Sequence, residues 1–332
     1  MKMKLYLGAL ILTTGLLSCK KDSEFTVTNV IGPDLNWYAD NEITTSMKAV
    51  ELTNELQTTM DTVSFDLTPN NSTPLIVPCG NNVKFTFYPS SIIYANLPFY
   101  GKVHLNYRII TTKGNQIRLL KNSKTDNGQL VENYVTLFFE LKNNNNQDLF
   151  IDDNIPVIID YERSGNNNSS SSSNLYSLTT NGFLSYLWSI EPNNSGNTVT
   201  ISNDDISFSL TRTGWFNCGK VYSPSNQNKV AIKLPENYTN ANTIAYVVSI
   251  TKNIALQLDP SVTNKQFQSI NLNIGGVYKL VVLSKQANSY FMATQDITVS
   301  STPTPGYPFQ IVNVTPTLTN MTNIENLLSQ LQ

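Results

Sequence analysis

One histidine, His104, serves the whole chain of 332 residues. A Ser-His-Asp or Cys-His relay would have to use it, and a zinc site built on several histidines is excluded. Charge is scarce as well. Asp, Glu, Lys and Arg make up 14% of the chain, 22 basic against 24 acidic residues, for a formal net charge of −2. With no basic excess there is no patch to track phosphates, so nucleic acid is not an expected partner. There is no Gly-rich phosphate loop, no Gly-x-Ser-x-Gly elbow and no His-Glu-x-x-His motif. These absences point away from an enzyme, and no cofactor is implied. Cysteines number three, and Cys79 and Cys218 fall in separate halves of the chain, which makes them no ligand pair. They stand either as two buried thiols, which is favoured, or as a disulfide in an oxidising compartment.

What is present begins at the N-terminus. Lys2 and Lys4 precede an apolar run over residues 5–17, and Leu16-Leu17-Ser18-Cys19 closes it. The run is shorter than the roughly 20 residues that span a bilayer, so residues 1–18 read as a processed secretory signal. Leu-Leu-Ser-Cys resembles the lipobox of bacterial lipoproteins. That resemblance implies lipid attachment, palmitate included, at Cys19, which becomes the mature N-terminus. Lys20, Lys21, Asp22 and Glu24 follow, a short charged stretch similar to the surface-display signal of bacteroidete lipoproteins. The expected location is therefore the outer membrane, lipid-anchored through Cys19, on the cell surface; the periplasmic face is the other possibility.

Beyond the cysteine, residues 19–62 read as a tether with a helix over 40–60, where Ile43, Met47, Val50, Leu52, Leu56 and Met60 recur at helical spacing. The expected role of that helix is to pack on the first sandwich. Residues 63–163 carry short β-branched and aromatic runs separated by Pro, Asn and Gly. In one of them Val103, Leu105, Tyr107 and Ile109 alternate with Lys102, His104, Asn106 and Arg108, which predicts a half-buried strand and leaves His104 on the solvent side. Asn143 to Asn146 reads as a loop tip. Residues 164–175, with their serine run, read as a flexible linker or long loop. Residues 176–300 resume the strand pattern, with Gly275-Gly276 as a hairpin turn. Residues 301–332 form a Pro/Thr-rich connector and a short helix whose capping box is Thr322-Asn323-Ile324-Glu325. The expected fold is mainly all-β: two antiparallel β-sandwich domains, a short N-terminal helical segment and a short C-terminal helix.

A second resemblance lies in Gly214-Trp215-Phe216-Asn217-Cys218-Gly219-Lys220-Val221-Tyr222, which is similar to a Gly-Trp-Ile-Asn-Cys-Asp-Arg-Phe stretch of bacteroidete surface lipoproteins of unassigned role. Gly101-Lys102-Val103, opening a strand, and a turn at 125–133 echo the same group. The resemblance covers roughly residues 63–300 and implies a β-rich, outer-membrane-associated protein. Gly219 and Lys220 stand where the pattern has Asp and Arg, so any chemistry of that acid is absent here.

Two kinds of site remain open. Trp37, Trp188, Tyr94, Phe99 and Tyr100 lie in or near expected loops, where flat rings can serve as ligand platforms. The apolar stretch 92–100 reads as a binding lip or, favoured, as a core-crossing loop. Asp152-Asp153-Asn154 and Asn203-Asp204-Asp205 are calcium candidates without EF-hand spacing; ordinary acidic turns are the favoured reading, and no metal is expected. The leading expectation is a non-enzymatic structural or protein-interaction module anchored to the membrane through Cys19, with an envelope protein as partner. The alternative is a surface glycan-binding lipoprotein of a polysaccharide-uptake system.

Overall fold

The alternation at residues 101–110 produces the strand it predicts: Val103, Leu105 and Tyr107 are buried, while Lys102, His104, Asn106 and Arg108 stay outside the core. The computed structural model describes residues 34–69, 72–80, 82–163, 173–180, 184, 186–202, 205–223 and 225–332. The expected signal and Cys19, most of the serine run and Asp204 lie outside the described residues.

The described chain is mainly β, and most of its strands pair antiparallel. In order, the first strands are β1 (Asp61–Leu67), β2 (Leu75–Pro78), β3 (Val83–Phe87), β4 (Ile92–Tyr94), β5 (Leu97–Pro98), β6 (Gly101–Ile110) and β7 (Leu130–Asn143). They continue as β8 (Asp148–Ile151), β9 (Val157–Glu162), β10 (Asn174–Thr180), β11 (Tyr186–Ile190), β12 (Thr198–Ser202), β13 (Asp205–Leu210) and β14 (Gly214–Tyr222). One sheet runs β11-β10-β14-β7-β8-β4-β5, with β6 on β7 and β1 on β6; the other runs β12-β13-β9-β3-β2. Between them lies a core that includes Phe85, Leu105, Phe139, Ile159, Phe208 and Phe216.

The second sandwich uses β15 (Gln227–Asn228), β16 (Val230–Lys233), β17 (Thr243–Ser249), β18 (Ala255–Gln257), β19 (Asp259–Ser261) and β20 (Gln266–Gln268). It is completed by β21 (Leu272–Asn273), β22 (Val277–Gln286), β23 (Ser289–Thr298), β24 (Gln310–Asn313) and β25 (Thr317–Thr319). Its sheets run β18-β17-β22-β23-β25 and β19-β20-β16-β24, beside a β15-β21 ribbon. β16 and β24 are parallel.

Three helices lie among the described residues: α1 (Lys48–Leu56), α2 (Lys113–Arg118) and α3 (Met321–Gln330). They explain why β17 is buried at every position. Ala245 and Val247 face the sandwich core, while Ile244, Tyr246 and Val248 face a second core formed with Leu52, Leu56, Ile117, Ile324 and Leu328 of the helices. A strand covered on both faces loses its polar alternation. Glu51 and Glu55 of α1 close on Lys285 of β22, at 2.5 Å each. No helix among the described residues is long and apolar enough to cross a membrane.

Several expectations need correction. The sheets do not divide at 164–175: β10 pairs with β14, which pairs with β7, and β13 pairs with β9. The serine run therefore joins two strands of one sandwich, and the crossing to the second follows Tyr222; a solvated composition marks a loop without saying what it joins. The helix expected over 40–60 is confined to a single turn at Asp40–Glu42 and to α1, and it packs on β17 and β22 rather than on the first sandwich. Gly275-Gly276 makes no hairpin: β21 pairs with β15, β22 with β17 and β23, and Gly275 (φ +77°) turns the chain from one to the other. α3 begins two residues early, capped by the Asn320 side chain accepting from the Asn323 amide (2.9 Å), because Asn is as good a cap as Thr. The loop tip at 143–146 stands as expected, with the Asn143 Oδ1 accepting from the amides of Asn145 and Gln147.

Candidate functional site

The Gly214 to Tyr222 stretch is central β14, and its residues divide by face. Phe216 and Cys218 enter the first core. Trp215 lies on the other face, half-buried against the cluster of Val131, Tyr176 and Trp188, its ring tilted 40° to that of Phe138 at 4.9 Å. Asn217 is buried and donates to the Asn133 Oδ1 (2.6 Å) while accepting from the Thr136 hydroxyl (3.1 Å). A bulge separates Cys218 from Gly219, where a Cβ would meet Val131 Cγ1 at 2.7 Å and the Glu132 carbonyl at 2.9 Å. The aspartate of the similar stretch has no room here. Cys79 and Cys218 are free thiols in the same core, and burial pushes both up to about 12, which makes them poor nucleophiles.

Lys121, 5% exposed, lies over the Tyr186 ring at 4.2 Å and the Trp215 ring at 4.3 Å. Burial, followed by the Arg108 charge, lowers its ammonium to about 7. The folded state thus resists a proton that the unfolded chain accepts. That penalty is complete below about pH 7 and fades as pH rises toward the ordinary lysine value of 10.5. Lys121→Met removes it at the cost of the cation–π attraction. The variant should gain on the order of 1–2 kcal/mol at neutral pH and lose that advantage by about pH 10. Urea midpoints of both proteins from neutral to alkaline pH check the difference.

The five candidate aromatics do not form one surface. Trp188 is fully buried, its indole donating to the Asn122 carbonyl at 2.7 Å. Trp37 is half-buried against Phe267, 5.0 Å between rings. Tyr94, Phe99 and Tyr100 do come together, at one end of the first sandwich. There β4 and β5 form a minimal hairpin through Ala95 (φ 49°) and Asn96 (φ 63°), the left-handed pair that a two-residue turn requires. Ile93 stands opposite Phe150 of β8 on one side and Pro98 on the other, giving an outward apolar row. Exposures around it are 69% for Leu97, 57% for Phe150, 43% for Tyr100, 40% for Tyr88 and 38% for Tyr94. Pro98 lacks an amide hydrogen, which blunts this sheet edge against strand addition. A shallow groove lined by Leu75, Phe87, Tyr88, Phe99 and Tyr100 adjoins the tip. Residues 92–100 therefore join both readings: Ile92 anchors in the core and the turn protrudes. Leu97 falls in the apolar stretch that the sequence marks, whereas Phe150 escaped the sequence reading; its signal is an exposed apolar residue between the buried Leu149 and Ile151 of a strand.

Of the candidate carboxylates, Asp152 is engaged in its own turn. Asp152 Oδ1 accepts from the amide (2.8 Å) and side chain (3.2 Å) of Asn154, an ordinary Asx turn. Asp153 and Asp205 are exposed, and among the described residues no group of three or more His, Cys, Asp or Glu is placed to hold a metal ion. His104 meets Ser64 Oγ at Nδ1 (2.8 Å) and Asn144 Oδ1 at Nε2 (3.1 Å), a hydroxyl–imidazole–amide chain across an open sheet face. No carboxylate stands in that chain to support an imidazolium. No protein-family model matches the chain, and no curated protein matches it.

Proposed function

We propose that the chain is a lipid-anchored cell-envelope protein whose first sandwich docks a protein partner through its apolar tip, without chemistry of its own. The observation that carries this is a set of exposed side chains at one end of the first sandwich: Tyr94 and Leu97 on the β4–β5 hairpin, Tyr100 just after it, and Phe150 on β8, the strand that pairs with β4. Large apolar side chains gathered at one place on a surface mark a recognition site, and aromatic residues dominate such sites energetically. Leu97, Pro98, Ile93 and Phe150 have no polar side-chain atoms, which favours a protein surface over a sugar at this end. The anchor rests on Leu16-Leu17-Ser18-Cys19, and lipid at Cys19 would hold the sandwiches at the membrane.

The expected result of Leu97→Asp with Phe150→Asp is loss of a partner that co-purifies with the native protein, with the unfolding midpoint unchanged. Cys19→Ala should move the protein from the membrane to the soluble fraction. Partner binding that survives the double aspartate variant contradicts the docking assignment; sedimentation of the Cys19→Ala protein with outer membranes contradicts the anchor.

A further inference from the structure

Residues 34–43 lead into α1 and are held on the 239–242 loop of the second sandwich mainly by their main chain. The Asn240 side chain meets the Tyr38 peptide groups in both directions: its Oδ1 accepts from the Tyr38 amide (3.0 Å) and its Nδ2 donates to the Tyr38 carbonyl (2.7 Å). Two residues of paired strands exchange bonds in the same way. The Thr239 hydroxyl donates to the Asp34 carbonyl at 2.9 Å, and Asn242 Nδ2 reaches the same oxygen at 3.4 Å. Thr239 and Asn240 are buried, and polar groups so placed need the partners that these peptide groups supply. One side chain adds to the seat: the Trp37 ring lies 5.0 Å from that of Phe267 and packs with the second core.

The segment is a unit in its own right. Asp34 accepts from the Asn36 amide (3.0 Å) and the Tyr38 hydroxyl (2.7 Å), and Glu42 Oε2 accepts from the Ala39 amide (2.8 Å). These bonds travel with it, so little order is lost when it moves as one piece. Thr44, Thr45 and Ser46, which follow, are exposed. Beyond them α1 is fastened, with the Ala49 amide donating to the Ala241 carbonyl (2.9 Å) and Glu51 and Glu55 on Lys285. Straightening residues 43–47 would span up to about 14 Å from that fixed point.

A seat that reads main chain and one indole is matched by the same segment of an identical chain, with no contact changed. We propose that residues 34–43 exchange between two copies of this chain, each filling the other's seat at Thr239, Asn240 and Asn242 about a two-fold axis. The bonds made equal the bonds broken, so concentration sets the balance, and the dimer gains as it approaches the millimolar effective concentration of a short link. This surface is separate from the apolar tip and does not depend on it.

The test follows the dimer by sedimentation velocity of the full chain in detergent, using two variants. Asn240→Ala spoils the seat and keeps the segment, whereas Trp37→Ala keeps the seat and weakens the segment. The native protein should dimerise toward about 1 mM, and either variant alone should do so roughly tenfold less. An equimolar mixture should recover the dimer, because one intact segment then meets one intact seat. Should Asn240→Ala fail to fold, a synthetic peptide of residues 34–43 takes its place. That peptide should bind the Trp37→Ala protein roughly tenfold more tightly than the native protein, whose seat is filled. A monomeric mixture of two folded variants overturns the proposal, as does a Trp37→Ala protein that dimerises like the native one, or a peptide that does not bind Trp37→Ala at about 1 mM.

Discussion

Replacing Gly114 by alanine should destabilise the protein by about 3–5 kcal/mol, although alanine is the better helix former by about 1 kcal/mol. Gly114 lies in α2, and a Cβ built there would stand 1.8 Å from the Leu328 carbonyl oxygen and 2.7 Å from its carbon. Both are backbone atoms of α3, so no rotamer change relieves the overlap. The Gly114 amide also donates to the Leu331 carbonyl at 3.0 Å, and that bond is lost when the helices separate. Once α3 lifts, Ile324 and Leu328 leave the core over β17 and β22. Urea unfolding gives the size of the effect, and limited proteolysis should show early cleavage before residue 321. A neutral or stabilised Gly114→Ala protein would mean that helix propensity, rather than the α2–α3 approach, governs this position.

The second large effect is expected at Asn133, which joins the two sandwiches. Its side-chain amide donates to Gln116 Oε1 (3.1 Å) and Ser123 Oγ (2.7 Å), and its Oδ1 accepts from Asn217. Gln116 continues to Asn253 Oδ1 (2.9 Å), and Asn253 donates back to the carbonyls of Thr111 and Asn133. Ser123 Oγ accepts from the Ala255 amide in β18 (2.9 Å). Asn133, Gln116, Ser123 and Asn217 are all buried. Asn133→Ala therefore strands several buried groups at once, at a cost of about 3 kcal/mol. In a double-mutant cycle with Asn217→Ala the two losses should fall short of adding by about 1 kcal/mol or more. Calorimetry would show whether the sandwiches then unfold in separate steps.

These positions show what the chain reveals by itself and what it does not. A strand with one wet face announces itself by alternation, and residues 101–110 did so down to the side of His104. β17 did not, because helices cover its other face and every position is buried. Pairings between distant strands carry no local mark, so Cys79 and Cys218, expected in different domains, share one core. Loop-like surroundings likewise misplace Trp188: register, not composition, turns its ring inward beneath Asn122. The hairpin at Ala95-Asn96 was legible only as an unusually apolar connection, since neither residue is the glycine that left-handed turns favour.

The central claim is that the β4–β5 tip is a docking surface, and in-cell photo-crosslinking tests it most directly. A photoreactive phenylalanine analogue would be placed at Leu97, and at Leu318, another strongly exposed leucine, as control. The account predicts one discrete protein adduct from position 97, absent from position 318 and lost when Phe150→Asp is added. An adduct of the same mass from both positions, or none from position 97, would contradict it.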